Sequence, residues 1–402
     1  MQVNGKKLRS FEDIAVLGTD PIPSEPYYHP DYHALEREAV FRNSWLVMGR
    51  VEEVARPGDF LVKDLDVVDS SVLIARSRDG TLRAFHNVCP HRGSILVQGK
   101  AGNTPAFTCR YHAWTFNLDG SVKAVPDRGG FYDLDLSTCG LAPIRLDEFA
   151  GFLFVNLAPD PQPLRAFLGG MGDLLLKHDF SPYSAFAEFD NVLEANWKTA
   201  QDNFQETYHV ATVHHRTAAA FATGPANPRG HPWYELYGPH RRMRLWQNTE
   251  YQPPHFGAVI FRHAMTGNGT AASGPRADDP NDGLDVHALF PNFHINLNAD
   301  NYFTHEFWPL GPNRTRMIGR LYFAPATTVG QRLLQEYRIS STRDIWAEDW
   351  PIVESVGRGV RSGALSHYHL HAHEMTCRHL FETVDGMVSD HRLRSSAQAL
   401  AR

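Results

Sequence analysis

The chain has 402 residues, 42% of them hydrophobic and 21% charged, so it is long enough to bury the cores of two domains. Its net charge of −6, without any run of basic residues, excludes the electrostatic pattern of a nucleic-acid-binding protein. The N-terminus lacks the apolar core of a signal peptide and no segment is apolar enough to span a membrane, so we expect a cytoplasmic protein.

Short strands joined by tight turns are predicted over residues 51–157. Asp-Gly pairs at 79–80 and 119–120 mark turns between runs of aromatic and aliphatic residues. The predicted strands are "FLVKDL", "SVLIARS", "TLRAFHNV", "AFTCRYHAWTFNL" and "GFLFVNL". The segment "APDPQPL", at 158–164, is rich in proline and typical of a connection between domains. We therefore expect a small antiparallel all-β unit that ends near residue 158.

The second half of the chain mixes helices with strands. Strands are predicted at "SAFAEFDNVLEA", "VHALFPNFHINLN", "NYFTHEFWPL" and "RTRMIGRLYFAP", and a helix at "NWKTAQDNFQETYHV". A long helix with a bend at its proline is predicted from residue 328 to about 359. The polar, glycine-rich segment 266–283 indicates an exposed loop. This part of the chain is predicted to be an α+β domain.

Two short loops each supply one cysteine and one histidine. "CPHRGS" contains Cys89 and His91, and "CRYHAWTF" contains Cys109 and His112. Two thiolates with two imidazoles suit either a tetrahedral zinc ion or a two-iron, two-sulfur (2Fe-2S) cluster. Zinc sites more often begin with two closely spaced cysteines, so the pairing of one cysteine with one histidine in each loop favours the cluster.

A second candidate site lies in the stretch "QDNFQETYHVATVHHRT", residues 201–217. On a helix, Asp202, Glu206 and His209 would share one face, which could bind a metal or simply face solvent. Neither His214 nor His215 lies on the His209 side of a regular helix, so two of these histidines could bind one ion only if the helix ended or unwound at 210–213. Glu206 could itself complete such a site.

A further group of histidines occupies alternate positions from His367 to His373. On a strand they would form one imidazole face and a possible adventitious metal site. Solvent exposure is the simpler interpretation.

The two cysteine–histidine loops resemble those of the Rieske ferredoxin fold. The resemblance implies that Cys89 and Cys109 bind the inner iron of a 2Fe-2S cluster and that His91 and His112 bind the outer iron. It also implies supporting roles in the loops for Arg92, Gly93, Tyr111 and Trp114. The remaining cysteines, Cys139 and Cys377, fall outside the motif and are predicted to be structural.

The stretch "NWKTAQDNFQETYHVATVH" is similar to the iron-binding segment of the Rieske non-haem iron oxygenases, in the catalytic (alpha) subunit of the aromatic-ring-hydroxylating dioxygenase family. The resemblance implies a mononuclear Fe(II) held by His209, His214 and one aspartate. "AEDWPIVESVGRGVRSG" is similar to the region that supplies this aspartate and places Asp349 there, with Glu348 as the near alternative. His215 is left out of the site.

Two further roles follow from the same resemblance. Glu206 would bridge an iron-ligand histidine to a cluster histidine of a neighbouring subunit, and Asn203 would lie near the iron. The implied organisation is an N-terminal helical or extended arm at 1–39, a Rieske domain at 40–158 and a catalytic domain at 159–402. The implied fold class is α+β, in which the catalytic domain is a helix-grip fold: an antiparallel sheet with a long C-terminal helix.

The family also predicts cofactors and partners. Besides the cluster and Fe(II), these are O2, a small organic substrate, and a reductase or ferredoxin that supplies electrons from NADH or NADPH. A head-to-tail homotrimer is implied, possibly with a small beta subunit. We expect hydroxylation of an aromatic or other hydrophobic ring. The alternatives are O- or N-demethylation of a small methylated or quaternary amine, or a Rieske electron-transfer or redox-sensing protein without a catalytic iron.

Overall fold

A computed structural model of the chain describes residues 17–251, 281–298 and 301–400. The first 16 residues of the predicted arm and most of the predicted loop 266–283 lie outside the described residues. The chain forms two compact units, one of them Phe41–Phe167 and the other made of the segments before and after it. No helix in the described ranges is long and apolar enough to cross a membrane.

Both units contain β-strands. In chain order they are β1 (Ile22–Pro23), β2 (Leu46–Arg50), β3 (Asp59–Leu65), β4 (Ser70–Arg76), β5 (Leu82–His86), β6 (Ala101–Asn103), β7 (Phe107–Thr108), β8 (Thr115–Phe116), β9 (Val122–Ala124), β10 (Pro143–Phe149), β11 (Phe152–Asn156), β12 (Ala185–Leu193), β13 (Trp233–Tyr237), β14 (His240–Trp246), β15 (Asp282–Leu289), β16 (Phe293–Leu297), β17 (Tyr302–Gly311), β18 (Arg314–Phe323) and β19 (His367–Tyr368).

Apart from one helix near the N-terminus, the helices of the described ranges begin at residue 164 or later. They are α1 (Pro30–Glu36), α2 (Leu164–Leu175), α3 (Trp197–Asp202), α4 (Val210–Val213), α5 (Ala219–Ala222), α6 (Val329–Arg361) and α7 (Met375–Leu400). Shorter helical turns occur at Glu25–Tyr27, Arg37–Phe41, Val51–Val54, Asp66–Val68, Arg128–Gly130, Leu136–Thr138 and Ala372–Glu374.

The unit Phe41–Phe167 is all β. Its larger sheet has the strand order β2-β11-β10-β5-β4-β3-β6, and a three-stranded sheet has the order β7-β8-β9. Their apolar residues form one buried core, which includes both motif cysteines: Leu73, Ala75, Phe85, Cys89, Leu96, Phe107, Cys109, Trp114, Phe116, Leu118 and Leu141. The predicted all-β architecture of this unit is confirmed.

The other unit is built on a seven-stranded antiparallel sheet of order β12-β18-β17-β16-β15-β14-β13. Two strand predictions are wrong in detail. In the all-β unit, "AFTCRYHAWTFNL" forms β7 and β8 with the second cysteine–histidine loop between them. The run "VHALFPNFHINLN" forms two strands, β15 and β16, separated by a turn at residues 290–292. Pro291 has no N–H to donate to a neighbouring strand, so a turn is the natural place for it.

The long helix α6 packs on this sheet, which confirms the helix-grip α+β class. Thr328 and Gln331 form a capping box at its start, and the helix continues through Pro351. The approach to β18 is close, because a Cβ at Gly319 would lie 2.3 Å from the Trp346 ring. Only glycine therefore allows this packing.

A second long helix, α7, was not predicted. Three of its buried apolar residues recur every four positions, namely Leu380, Val384 and Val388, all at most 1% exposed. This spacing is the pattern of an amphipathic helix and could have revealed it.

The N-terminal segment packs on the later part of the unit to which it belongs. Strand β1 pairs with β19, Ile22 opposite Tyr368. Glu36, at the end of α1, is completely buried and forms an ion pair with Lys198 of α3 while it accepts a hydrogen bond from Trp197 Nε1 at 3.0 Å. A buried carboxylate so fully paired fixes α1 against the helix that leads into the candidate metal site.

Candidate metal centres

The two cysteine–histidine loops have the same backbone geometry. In each, the cysteine N–H donates to the carbonyl five residues on at 2.8 Å, and the N–H four residues on donates back to the cysteine carbonyl at 2.9 Å. The residue that closes the turn has a left-handed backbone in both, Gly93 at φ +75° and Ala113 at φ +57°. The chain thus presents Cys89 and Cys109 in two equivalent turns.

The ligand atoms in these turns lie in two layers. Cys89 and Cys109 are 1% and 2% exposed, whereas His91 is partly exposed and His112 exposed. The two imidazole centroids are 4.7 Å apart, and Trp114 stacks on His91 at 5.0 Å. Buried thiolates beneath solvent-facing imidazoles are the donor arrangement of a cluster with inequivalent irons.

The backbone of each turn also fits an anionic cluster. The N–H groups two and three residues after each cysteine donate to its Sγ. Such bonds stabilise thiolate charge and tune the potential of an iron–sulfur cluster.

The other residues predicted around the loops have identifiable contacts. The Arg92 guanidinium lies 5.2 Å from the centre of the Tyr111 ring, a cation–π contact that joins the two loops. Cys139 Sγ donates to the Asp135 carbonyl at 3.2 Å and Cys377 Sγ to the Asp202 carbonyl at 3.6 Å. Hydrogen bonds from a thiol to a backbone carbonyl, as in these two contacts, are typical of cysteines with a structural role.

The second candidate site begins where α3 ends. The predicted helix break at 210–213 is misplaced: residues 203–209 form the irregular segment, and Val210–Val213 is the short helix α4. The cause is local, because the Glu206 carboxylate accepts hydrogen bonds from the backbone N–H groups of Tyr208 and His209. A side chain that captures backbone donors in this way competes with helix formation.

This irregular segment brings two histidines to an aspartate of α6. His209 Nε2 lies 3.6 Å and His214 Nε2 3.0 Å from Asp349 Oδ1. One ligand atom from each of the three residues lies within 4.8 Å of the other two, and no other group of three such side chains in the described ranges is as close. His214 and Asp349 are buried and His209 is partly buried.

The hydrogen bonds behind the imidazoles fit a cation at this point. His209 Nδ1 is bonded to Glu206 and His214 Nδ1 to Glu348 at 2.9 Å, so each neutral imidazole turns the lone pair of Nε2 toward Asp349. Buried Asp349 Oδ1 has no hydrogen-bond partner in the described part of the chain. Three lone pairs directed at one point repel each other unless a proton or metal ion lies between them.

The environment of His214 also favours a positive charge at this point. Burial lowers the pKa of His214, but the negative charges of Asp349 and Glu348 and the hydrogen bond to Glu348 outweigh it and raise the pKa above its ordinary value. The site therefore stabilises positive charge at this imidazole, and a bound metal ion would supply such a charge. Glu348 also accepts a hydrogen bond from Thr217 Oγ1 at 2.6 Å, so its carboxylate lies behind His214 rather than beside Asp349.

The remaining predicted residues lie around the triad. Asn203 is the C-cap of α3, and its buried Nδ2 has no hydrogen-bond partner among the described residues. His215 is exposed and its Nδ1 contacts the Thr212 carbonyl at 3.1 Å, away from the triad. Thr217 could not be predicted as part of the site, because only the folded chain brings it to Glu348.

The histidine run His367–His373 does not form one imidazole face. Only His367 and Tyr368 belong to a strand, whereas His371 begins a helical turn and accepts a hydrogen bond from the His373 N–H at 3.1 Å. His367, His369 and His371 are exposed and His373 is buried. The expected alternation fails because the strand ends after two residues.

Aromatic side chains pack between the two segments that carry the triad. Phe204 lies two residues before Glu206, and Trp350 follows Asp349 directly; both join the same buried clusters. We call the following group the aromatic shell: Phe204, Phe303, Phe307, Trp346 and Trp350. The ring of His305 lies among them, 4.6 Å from Phe204 and 4.7 Å from Trp346.

Comparison with family models identifies both parts of the chain. Residues 44–138 match the Rieske [2Fe-2S] domain, and residues 180–390 match the ring hydroxylating alpha subunit (catalytic domain). The glycine betaine monooxygenase oxygenase subunit of Chromohalobacter salexigens is 30% identical over 371 residues, 86% of this chain and 81% of that protein.

Other relatives match more narrowly or more distantly. The carnitine monooxygenase oxygenase subunit of Escherichia coli K12 is 35% identical over 198 residues, 48% of this chain, so the match spans about half (52%) of that subunit. A quaternary ammonium Rieske monooxygenase structure covers 95% of this chain and 100% of its own with a TM-score of 0.76 at 22% identity. Naphthalene 1,2-dioxygenase from Rhodococcus covers 94% and 98% with a TM-score of 0.72 at 20% identity. At such identity these structures show a shared fold.

Proposed function

As this chain belongs to the ring-hydroxylating alpha-subunit family of Rieske oxygenases, we propose that it is an oxygenase subunit that oxidises a small quaternary ammonium compound with O2. The observation that carries the proposal is the identity with a glycine betaine monooxygenase subunit across 86% of the chain. The relatives favour this alternative over the aromatic or hydrophobic ring substrate that we first expected.

The charge of the candidate iron site supports a cationic substrate. We assign His209, His214 and Asp349 to Fe(II), with Glu206 and Glu348 behind the two imidazoles. The three carboxylates exceed the two positive charges of a ferrous ion by one, while the imidazoles are neutral when bound. A residual negative charge beside a water-poor site attracts a cation.

The aromatic shell supports the same substrate class. A quaternary ammonium group has no hydrogen to donate and binds best against the faces of aromatic rings. Phe303, Phe307 and Trp346 are at most 8% exposed, so a cation there would be shielded from water. The strength of a cation–π contact increases when both partners are desolvated.

The chain's residues divide the remaining work of the reaction. Fe(II) would supply the chemistry of O2 activation. Replacing one C–H bond by C–OH with release of water consumes one O2, two electrons and two protons, so a reductase or ferredoxin must deliver electrons to the Rieske domain. Cys89, His91, Cys109 and His112 are our assignment for the cluster, and Glu206 for the bridge between subunits, with Asn203 beside the iron.

We further propose the homotrimer and the domain limits given above, with the arm at 1–39, the Rieske domain at 40–158 and the catalytic domain at 159–402. Three chains per particle in light scattering after size exclusion would support the trimer. A monomer would contradict it. Cytoplasmic location stays a prediction.

A single-turnover experiment tests the function without a known reductase. Protein with its cluster chemically reduced is mixed with 18O2 and, in parallel, with glycine betaine, carnitine, choline or naphthalene. We expect one labelled oxygen atom in the oxidation product of a quaternary amine, either an alcohol or the aldehyde released with a tertiary amine when the C–N bond breaks, and we expect naphthalene to be unchanged. Oxidation of naphthalene alone would refute the proposal, and Asp349→Ala, with its cluster spectrum intact, serves as the inactive control.

A further inference from the structure

Two buried imidazoles lie on the sheet beneath the aromatic shell. His294 of β16 and His305 of β17 are cross-strand partners, with ring centroids 6.0 Å apart and exposures of 0% and 2%. Both contact the segment that precedes the triad histidines: His305 packs on Phe204 at 4.6 Å, and His294 Nε2 lies 2.9 Å from Gln205 Nε2. They therefore lie near the iron site in the fold.

The contacts of Gln205 fix where His294 carries its proton. Arg241 Nε donates to Gln205 Oε1 at 2.6 Å, and a guanidinium can only donate. Gln205 must then present its amide N–H to His294, whose Nε2 accepts it. Burial lowers the pKa of His294 well below its ordinary value, so the ring is neutral and its one proton is on Nδ1. That N–H donor has no partner within the described ranges.

His305 offers a donor and an acceptor. Burial lowers its pKa to about 3, so it is also neutral, with one N–H and one bare nitrogen. Neither nitrogen forms a hydrogen bond to any residue that the structure describes. A buried donor without a partner costs free energy, which a polar ligand group would recover. Neutral rings, unlike charged ones, also do not repel a quaternary ammonium ion.

We infer that His294 and His305 bind the oxygen-bearing end of the substrate, a carboxylate or hydroxyl group remote from the quaternary nitrogen. This inference rests on the proposed function, since it assigns the second functional group of the same substrate. The aromatic shell would hold the cationic end, and the imidazole pair would select compounds that carry an oxygen at the other end over those that carry only alkyl groups. Neither histidine belonged to the sites predicted from the sequence.

His305→Phe tests the inference because it keeps an aromatic ring in the packing and removes both hydrogen-bonding atoms. Binding is measured by calorimetry on the iron- and cluster-loaded protein with glycine betaine, choline and tetramethylammonium, which has no oxygen. We expect the Kd for glycine betaine, for choline or for both to rise about 10- to 100-fold, which is the loss expected for hydrogen bonds to a buried or charged group. The Kd of tetramethylammonium should change less than about threefold. A selective loss with glycine betaine identifies a carboxylate, and a selective loss with choline a hydroxyl group.

His287→Phe is the matched control. His287 is fully buried in β15, where its neighbour Ala288 pairs with His294, so its side chain points to the opposite face of the sheet. His287→Phe should leave the ratios of the Kd values for glycine betaine and choline to the Kd for tetramethylammonium as they are in the wild type. Equal weakening of all three ligands by His305→Phe, or none, would overturn the inference. Wild-type protein that binds these ligands but oxidises none would refute the proposed function separately, and wild-type protein that binds none would refute both.

Discussion

Glu348 provides a graded test of how the candidate iron site is built. Its Oε2 accepts hydrogen bonds from His214 Nδ1 at 2.9 Å and Thr217 Oγ1 at 2.6 Å. Glu348→Gln keeps an acceptor for both but loses the charge, and Glu348→Met removes the acceptor. A charge-assisted bond contributes about 1 to 1.5 kcal/mol more than a neutral one, so we expect iron affinity to fall about tenfold in the glutamine variant. In the methionine variant the fall should approach about 100-fold, the upper range for partners of metal-bound histidines.

Competition with a ferrous chelator measures this affinity, with the cluster absorbance as the count of folded protein. Glu354→Gln is the control, since Glu354 lies on the same helix and accepts from the Glu194 N–H at 3.2 Å, so its iron affinity should be that of the wild type. Asp349→Ala should abolish binding at this site. Iron retained by Asp349→Ala but lost by Glu348→Gln would show that Glu348 is the ligand and that our assignment is reversed.

Three further outcomes are expected. Glu36→Ala should lower the free energy of unfolding by about 3 to 5 kcal/mol, because it leaves Lys198 buried and unpaired. Glu36→Gln should lower the free energy of unfolding by less. Both are measured by urea titration, and equal stability of wild type and Glu36→Ala would contradict the prediction. Burial raises the pKa of Asp202 from 3.8 to about 7, so the folded state holds a proton there that the unfolded state releases, and wild-type stability should decline between pH 4 and 7 relative to Asp202→Asn. The gap should be near zero below pH 4 and at most about 4 kcal/mol at pH 8, and a gap that does not vary with pH would show that Asp202 titrates normally. His214→Ala should lose iron and activity while its cluster spectrum stays intact, and His215→Ala should keep both; inactivity of the latter alone would exclude our choice of ligand.

Features set by neighbours in the chain could be predicted from the sequence. The two cysteine–histidine turns depend on residues within six positions of each other, and the strands around them on short apolar runs that end at turn residues. Gly93 shows how local the information is, because its left-handed backbone closes the first turn. Ala113 takes the same left-handed conformation in the second turn, but alanine is not a residue type that predicts it.

The geometry of the second site could be predicted only in part. The residue types pointed to the right stretch, but a 3.6-residue periodicity put the helix break after His209, whereas the structure has it before. The reason is that the Glu206 carboxylate accepts hydrogen bonds from backbone N–H groups ahead of α4. These bonds compete with helix formation, and helix propensity does not take them into account. Periodicity alone therefore misplaced the segment by several residues.

Contacts set by sheet register and helix docking were out of reach of the sequence. His214 and Glu348 are 134 positions apart, and the two become partners only when α6 packs on β18 over Gly319. The same holds for Gln205, which orients His294 across 89 positions because Arg241 on β14 claims its carbonyl oxygen. One helix thus delivers both the Asp349 carboxylate and the carboxylate that orients His214, so any change that shifts α6 on the sheet must disturb the aspartate and one histidine together. His209, whose orienting carboxylate lies three residues away, would keep its geometry.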